Sequence, residues 1–445
     1  VTEVKGKTHY EKYYEDYEYA SRKPLKIALK DMTEKHRDLI MKSKHFCILP
    51  WIHLHAFPDG RAYPCCMGAM FEPVGNLRKQ TMEEVWNDEP MRQMRQNMMQ
   101  DKPSKECVKC YEQEAAKFIS TRQDQNKSFG HHMNLVEQTK SDGTAPFNIR
   151  YYDIRFSNLC NLACRSCGDI FSSNWVKESK KYGWSPKDKP NVEYAGRYEM
   201  DMWDQMLPHI DNIEQIYFAG GEPLMMKEHY MFLEELIKRG KTDVRLIYNS
   251  NFTELKFKQK DVLHMWKEFS DVSIGASLDA MGPRAEIMRY GTKWSQVEEN
   301  RIRMLEVCPQ VDFYISATLS VFNAFHIPDF HRNWSDRGLI KIKDFHLNIL
   351  QGPNNYRVDI MPVKMKHTLT SKIKDHIDYI EDKDPLNRAT HSFKSLITYL
   401  WAKDNSKEIP SFVQLVNRLD KLRNEDTWKT FPELGDLREM SDAMA

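Results

Sequence analysis

Cys160, Cys164 and Cys167 stand at C-x3-C-x2-C spacing in the run Ser157-Asn158-Leu159-Cys160-Asn161-Leu162-Ala163-Cys164-Arg165-Ser166-Cys167, directly after a strand-like stretch, Tyr151 to Phe156. Three closely spaced thiolates can hold three irons of a 4Fe–4S cube, leaving the fourth iron free to take a small molecule. A structural zinc site wants four ligands and normally pairs two C-x2-C units. The competing reading is a zinc or redox thiol cluster. A second group, Cys47, Cys65, Cys66, Cys107 and Cys110, lies upstream. There Asp59-Gly60 signals a hairpin between two extended runs. Helical residues 82–99 separate that hairpin from the knuckle Cys107-Val108-Lys109-Cys110. Four thiolates from a hairpin and a C-x2-C knuckle can enclose either zinc or a complete 4Fe–4S cluster, and spacing alone does not choose. Cys308, alone before Pro309, reads as an inert turn or core residue. His131 and His132 read as a solvated loop pair, with a metal role as the minor alternative.

Other reactive residue types gather at the ends of apolar runs. Gly220-Gly221-Glu222-Pro223 combines glycines, which let backbone approach a neighbour closely, with a carboxylate that can pair with an ammonium. Ser250 and Asn251 are short polar side chains able to bond a ribose or carboxylate, or simply to make a turn. Ser277 and Asp279 follow the run ending at Ala276, and Arg289 offers a guanidinium fork suited to a carboxylate.

These residues need elements to position them. From about 150 to 350 the chain alternates strand and helix patterns. The expected strands are 150–156, 215–219, 244–249, 272–277, 311–318 and 344–350; helical stretches include 228–239, 258–269 and 295–306. Six β/α units in sequence imply an α/β fold with a parallel sheet covered by helices. In parallel barrels chemistry sits at the C-terminal ends of strands, where the three-cysteine loop falls. Residues 1–45 read as a charged helical arm rich in tyrosine (Tyr13, Tyr14, Tyr17, Tyr19), 46–125 as a cysteine domain, 126–355 as the β/α domain, and 356–445 as helices with apolar spacing at Phe412, Leu415, Val416, Leu419 and Leu422.

Composition narrows the class. The formal net charge of +1 over 445 residues implies no strong field for nucleic acid or an anionic membrane. Lys364 and Lys366 read as solvated faces. No apolar run is long enough for a transmembrane helix, and Val1-Thr2-Glu3-Val4-Lys5 does not read as a signal peptide. Of the nine cysteines, eight fall in the two groups, which suits metal ligation in a reducing compartment, the cytoplasm, better than disulfides.

The three-cysteine spacing and the strand-end motifs after it resemble the radical S-adenosylmethionine (SAM) enzymes. The run from Cys47 through Pro64-Cys65-Cys66 to Cys107-Val108-Lys109-Cys110 resembles the twitch domain, the one-cluster relative of the SPASM domain. The resemblance implies a partial (β/α)6 TIM-like barrel and a SAM-binding 4Fe–4S cluster on Cys160, Cys164 and Cys167. It implies that Gly220, Gly221 and Glu222 hold the SAM amino group, that Arg289 pairs with its carboxylate, and that Ser250, Asn251, Ser277 and Asp279 face SAM or substrate. It assigns an auxiliary 4Fe–4S cluster to Cys47, Cys65, Cys107 and Cys110, with Cys66 spare or substitute. Three features depart from the family. Twitch domains usually follow the barrel, and this one precedes it. Phe252 stands where many members have glycine. Ser166 replaces a frequent aromatic residue, so packing against adenine falls to Phe171 or Leu350.

The expected activity is oxidoreductase-like: SAM is cleaved reductively to a 5′-deoxyadenosyl radical that abstracts hydrogen from a peptide or protein, with the auxiliary cluster assisting oxidation or substrate binding. The implied electron donor is a flavodoxin or ferredoxin. The alternatives are a small-molecule or nucleic-acid-modifying enzyme of the same class, or a zinc-stapled binding protein without catalysis.

Overall fold

The computed structural model describes residues 32–444 apart from residue 117. Most of the expected N-terminal arm, including its four tyrosines, lies outside the described residues; within them, helix Glu34–Met41 is capped by the Thr33 hydroxyl, which accepts from the His36 N–H. One sheet of nine strands organises the rest: β1 His53–Ala56, β2 Arg61–Tyr63, β3 Gly75–Asn76, β4 Tyr151–Ile154, β5 Gln215–Phe218, β6 Arg245–Ser250, β7 Val272–Ala276, β8 Asp312–Leu319 and β9 Phe345–Ile349. Their order in space is β9-β8-β7-β6-β5-β4-β1-β2-β3. From β4 to β9 every neighbouring pair is parallel and consecutive in sequence. This is the expected succession of six β/α units, with helices such as Lys227–Lys238, Trp294–Val307 and Ile327–Asp336 between the strands.

Parallel strands buried on both faces usually read as continuous apolar runs; β4 and β7 are buried throughout, whereas β6 and β8 alternate. Along β6 and β8 every second residue is buried. Leu246, Tyr248, Phe313 and Ile315 belong to the helix-covered face, where each large apolar side chain contributes roughly 1.5–3 kcal/mol of transfer free energy. The alternate positions Gln215, Asn249, Asp312, Tyr314, His346 and Asn348 line a polar cavity of about 740 Å³.

The cysteine domain is joined to the barrel by its first strand. All of β1 is buried, and it pairs in parallel with β4, His53 opposite Tyr151 and His55 opposite Asp153. It thereby covers what would be the open edge of the first barrel strand. Beyond it β2 and β3 continue antiparallel, with Gly60 at φ +85° in the turn that Asp59-Gly60 predicted. The unusual domain order is thus accommodated within one continuous sheet.

Several expectations are corrected. The helix expected over 82–99 is two, Met82–Trp86 and Glu89–Met99; Asp88 caps the second and Pro90 sits in its first turn, so a fresh start is favoured there. The stretch from 258 begins as a small hairpin, Lys256–Phe257 with Lys260–Asp261, and turns helical only at Val262–Trp266. The boundary expected after residue 125 falls inside helix Thr121–Phe129. Lys366 is buried, its ammonium donating to the Lys403 carbonyl at 2.8 Å, whereas Lys364 is solvated as expected. His131 and His132 are not a solvated loop: they close a 3-10 turn, Gly130–His132, against Glu214. Cys308 is a buried core residue at the end of Trp294–Val307, as expected. Among the described residues no helix is long and apolar enough to cross a membrane.

Candidate cluster and cofactor site

All the strand-end motifs lie at the C-terminal end of the parallel sheet. The three-cysteine loop follows β4, Gly220 to Glu222 follow β5, Ser250 ends β6 with Asn251 after it, and Ser277 and Asp279 follow β7. The two glycines serve the cysteine loop itself. Gly220 and Gly221 have φ of +75° and +53°. A Cβ on Gly221 would lie 2.4 Å from the Leu159 carbonyl oxygen, and one on Gly220 2.5 Å from the Arg155 side chain. Only glycine permits that approach, which lets the Glu222 N–H donate to Leu159 O at 2.7 Å.

Glu222 is buried and anchors the next strand end. Its carboxylate accepts from the Ser250 hydroxyl at 2.8 Å, the Asn251 N–H at 2.7 Å and the Leu224 N–H at 3.1 Å. Burial raises its pKa to about 7, while those hydrogen bonds and the Arg289 charge oppose the rise. Asn251 donates to Asn161 Oδ1 at 2.9 Å and reaches to 4.0 Å from Cys160 Sγ. Phe252, in the family's glycine position, holds φ +58°, a strained conformation for a bulky residue. Its fully buried ring packs on Phe313.

Arg289 is brought to the loop by a two-residue antiparallel ribbon, Arg289 opposite Cys164 and Tyr290 opposite Ala163. Its Nε lies 2.9 Å from Asp279 Oδ2 and its Nη1 3.8 Å from Cys164 Sγ. Asp279 is buried and also accepts from the Thr318 N–H, so it fixes the guanidinium from behind. Ser277 is half-buried, its N–H bonded to Ser250 O at 2.7 Å. Phe171 is engaged by Phe57 of the hairpin, ring centroids 5.4 Å apart, and Leu350 is buried.

The upstream thiols separate into four and one. Cys47, Cys65, Cys107 and Cys110 line one small cavity of about 20 Å³, with Arg122 at its wall. Cys66 faces the large polar cavity instead. Burial raises the pKa of all four lining thiols, to about 12 for Cys47, so a bound cation is needed to hold them as thiolates. Among the described residues, no three thiol sulfurs come within 4.8 Å of one another. The sulfurs around a single tetrahedral zinc would be about 3.8 Å apart, given Zn–S near 2.3 Å. By donor set, three thiols in one loop and four thiols on one cavity wall fit the ligand sets of iron–sulfur clusters.

Two further arrangements were not anticipated. Near Cys66 lies a fully buried pair, His55 Nδ1 and Asp153 Oδ2 at 3.0 Å, with Arg155 at 3.8 Å from Asp153. Burial alone would raise the Asp153 pKa, but the charges of His55 and Arg155 hold it at about 2. The charge in the middle of an apolar strand was its one sequence signal. The second is a clamp from helix Ile409–Arg423 and the turn that follows it. Arg165, inside the cysteine loop, donates to Asp420 at 2.6 Å and Glu425 at 2.7 Å, and Arg423 donates to Glu178 and to the Ala163 carbonyl.

The SPASM family, an iron-sulfur cluster-binding domain, matches residues 47–111, which include all five upstream cysteines. No curated protein matches the chain. Among solved structures the chain is similar to "Native anSMEcpe with bound AdoMet" at 17% identity and TM-score 0.36, over 52% of this chain and 59% of that one. It is similar also to "Structure of TYW1 with a lysine-pyruvate adduct bound" at 12% identity and TM-score 0.28, over 53% of this chain and 71% of that one. The chain thus spans less than two thirds of the first of these proteins.

Proposed function

We propose that this protein is a radical SAM enzyme acting on a peptide or protein substrate, with an auxiliary 4Fe–4S cluster in its N-terminal domain. The observation that carries the reading is the convergence of the C-x3-C-x2-C loop, Glu222, Asn251 and Arg289 at one end of six parallel strands. Cys160, Cys164 and Cys167 would hold the first cluster, and Cys47, Cys65, Cys107 and Cys110 the second. With SAM bound, the first cluster would supply the electron for reductive SAM cleavage and so the means of hydrogen-atom abstraction from the substrate.

The chain's own residues bind and orient. Glu222 accepts from the amino group of SAM. Arg289, aimed by Asp279, offers its remaining N–H groups to the carboxylate in the paired geometry a guanidinium favours. Ser250, Asn251 and Ser277 present short polar groups at the same rim. The polar cavity of about 740 Å³ runs along the inner strand faces below this rim, so a substrate seated in it would meet the rim past Asn249, Ser316 and Asn348. Its lining of amide, hydroxyl and charged groups suits backbone and polar side chains.

The test is anaerobic reconstitution with iron and sulfide, then incubation with SAM and a reductant. The wild type should release 5′-deoxyadenosine, and the Cys160→Ala/Cys164→Ala/Cys167→Ala variant should release none. Equal yields from the two would overturn the assignment. A peptide library screened for SAM-dependent mass change then tests the substrate class.

A further inference from the structure

At the opposite, N-terminal end of the parallel strands, His131, His132 and Glu214 bring three ligand atoms within 4.8 Å of one another. The His131 Nε2 lies 3.0 Å from Glu214 Oε2, and the His132 Nε2 lies 2.9 Å from Glu214 Oε1. We propose that these three side chains form a binding site for one divalent transition-metal ion, Zn²⁺ by its donor set, separate from both thiol groups.

The three groups form a closed set of two imidazoles and one carboxylate, with one imidazole–carboxylate hydrogen bond between them. Around a tetrahedral ion with bonds of about 2.1 Å, ligand atoms stand roughly 3.4 Å apart, so the His131–Glu214 hydrogen bond at 3.0 Å and the His132–Glu214 pair at 2.9 Å would open by a few tenths of an ångström to admit one. The His132 Nε2 is buried and, despite its proximity to the carboxylate, lacks the alignment of a hydrogen bond. That nitrogen and the carboxylate are close enough to share one ion between them.

The elements carrying these residues are fixed before any ion arrives. Helix Thr121–Phe129 runs straight into the turn Gly130–His132. The Phe129 ring stacks on Tyr151 at a plane angle of 8°. Glu214 immediately precedes β5, and its N–H donates to the Arg150 carbonyl. An ion here would tie the helix leaving the cluster domain to the base of the barrel. Two imidazoles and one carboxylate are also the set used by zinc sites that keep a fourth position for water. The neighbouring residue, Gln215, lines the large polar cavity.

The test uses the full chain with its clusters reconstituted, so that the thiols are occupied. The protein is incubated with zinc alone, passed over a chelating resin and assayed for both metals. The wild type should retain about one zinc per chain, while Glu214→Gln and His132→Ala should lose at least tenfold of it with iron unchanged. Zinc-edge X-ray absorption on the wild type gives a readout that does not depend on a variant folding, and it should show nitrogen and oxygen ligands only. Retention of no zinc, or sulfur in the zinc coordination shell, would overturn the proposal. So would equal zinc in wild type and a folded Glu214→Gln/His132→Ala variant.

Discussion

Glu222 accepts three hydrogen bonds and is buried, and burial still carries its pKa to about 7. A raised carboxyl pKa favours the protonated form in the fold, so this group's contribution to stability falls as pH rises from the ordinary carboxylate range through about 7. Binding an amine to the carboxylate has the opposite sign, because it requires the proton to leave. SAM affinity is therefore expected to tighten between pH 6 and pH 8 and to lose that dependence in Glu222→Gln. The variant should bind about tenfold or more weakly, since a charged hydrogen bond contributes roughly 1.5–3 kcal/mol. Calorimetric titration at both pH values checks this, and a pH-dependent Glu222→Gln would refute the role. Cys66 is a second test at this scale. It faces the polar cavity and not the four-thiol cavity, so Cys66→Ala should keep the full iron content, about eight per chain for two cubes. Iron loss from that variant would place Cys66 among the ligands.

The helix Ile409–Arg423 sits at the far end of the sequence and yet fixes the cysteine loop. Its apolar stripe, Phe412, Val416 and Leu419, is buried, which seats it on the barrel. Seated there, it presents Asp420 to Arg165 and carries Arg423 to Ala163 and Glu178. Removing one partner of a buried ion pair costs about 3–5 kcal/mol because the other charge is left uncompensated. Arg423→Ala should therefore lower the melting temperature, release Glu178 and loosen the loop. Iron should fall from about eight toward the four of the auxiliary site. Thermal melts and iron assays at matched sulfide would show this, and an unchanged melt and iron content would mean the clamp is dispensable.

Because β1 is a strand of the barrel sheet as well as of the cysteine domain, the two thiol groups are held by one framework. The four upstream thiols nevertheless close on their own cavity. The Cys160→Ala/Cys164→Ala/Cys167→Ala variant should therefore stay folded and keep about half of the wild-type iron, on the cube stoichiometry. Zinc in that variant, with no iron–sulfur absorption after anaerobic reconstitution, would refute the auxiliary cluster and leave the first site untouched. If the auxiliary cluster accepts an electron from the substrate, Cys107→Ala should impair product formation more than 5′-deoxyadenosine release. Far-ultraviolet circular dichroism separates that outcome from unfolding.

The sequence by itself determined the chemistry-bearing loop, the six β/α units and the strand-end positions of Glu222, Ser250, Asn251 and Asp279. Each of these is a local matter: thiol spacing, apolar periodicity and a glycine pair are all readable within a few residues. The hairpin of the cysteine domain was legible for the same reason, through Asp59-Gly60. What the sequence left undecided depends on contacts between distant segments. Whether Cys65 or Cys66 faces the four-thiol cavity depends on how the hairpin lies against the helices that follow it. That the early cysteine domain adds a strand beside β4 depends on an open sheet edge, which no local pattern announces. The solvated reading of His131 and His132 failed because Glu214, 83 positions from His131, buries them only once the barrel has formed. The Arg165–Asp420 bond spans 255 positions, and two oppositely charged surface-type residues at that separation carry no signal until packing removes the water between them.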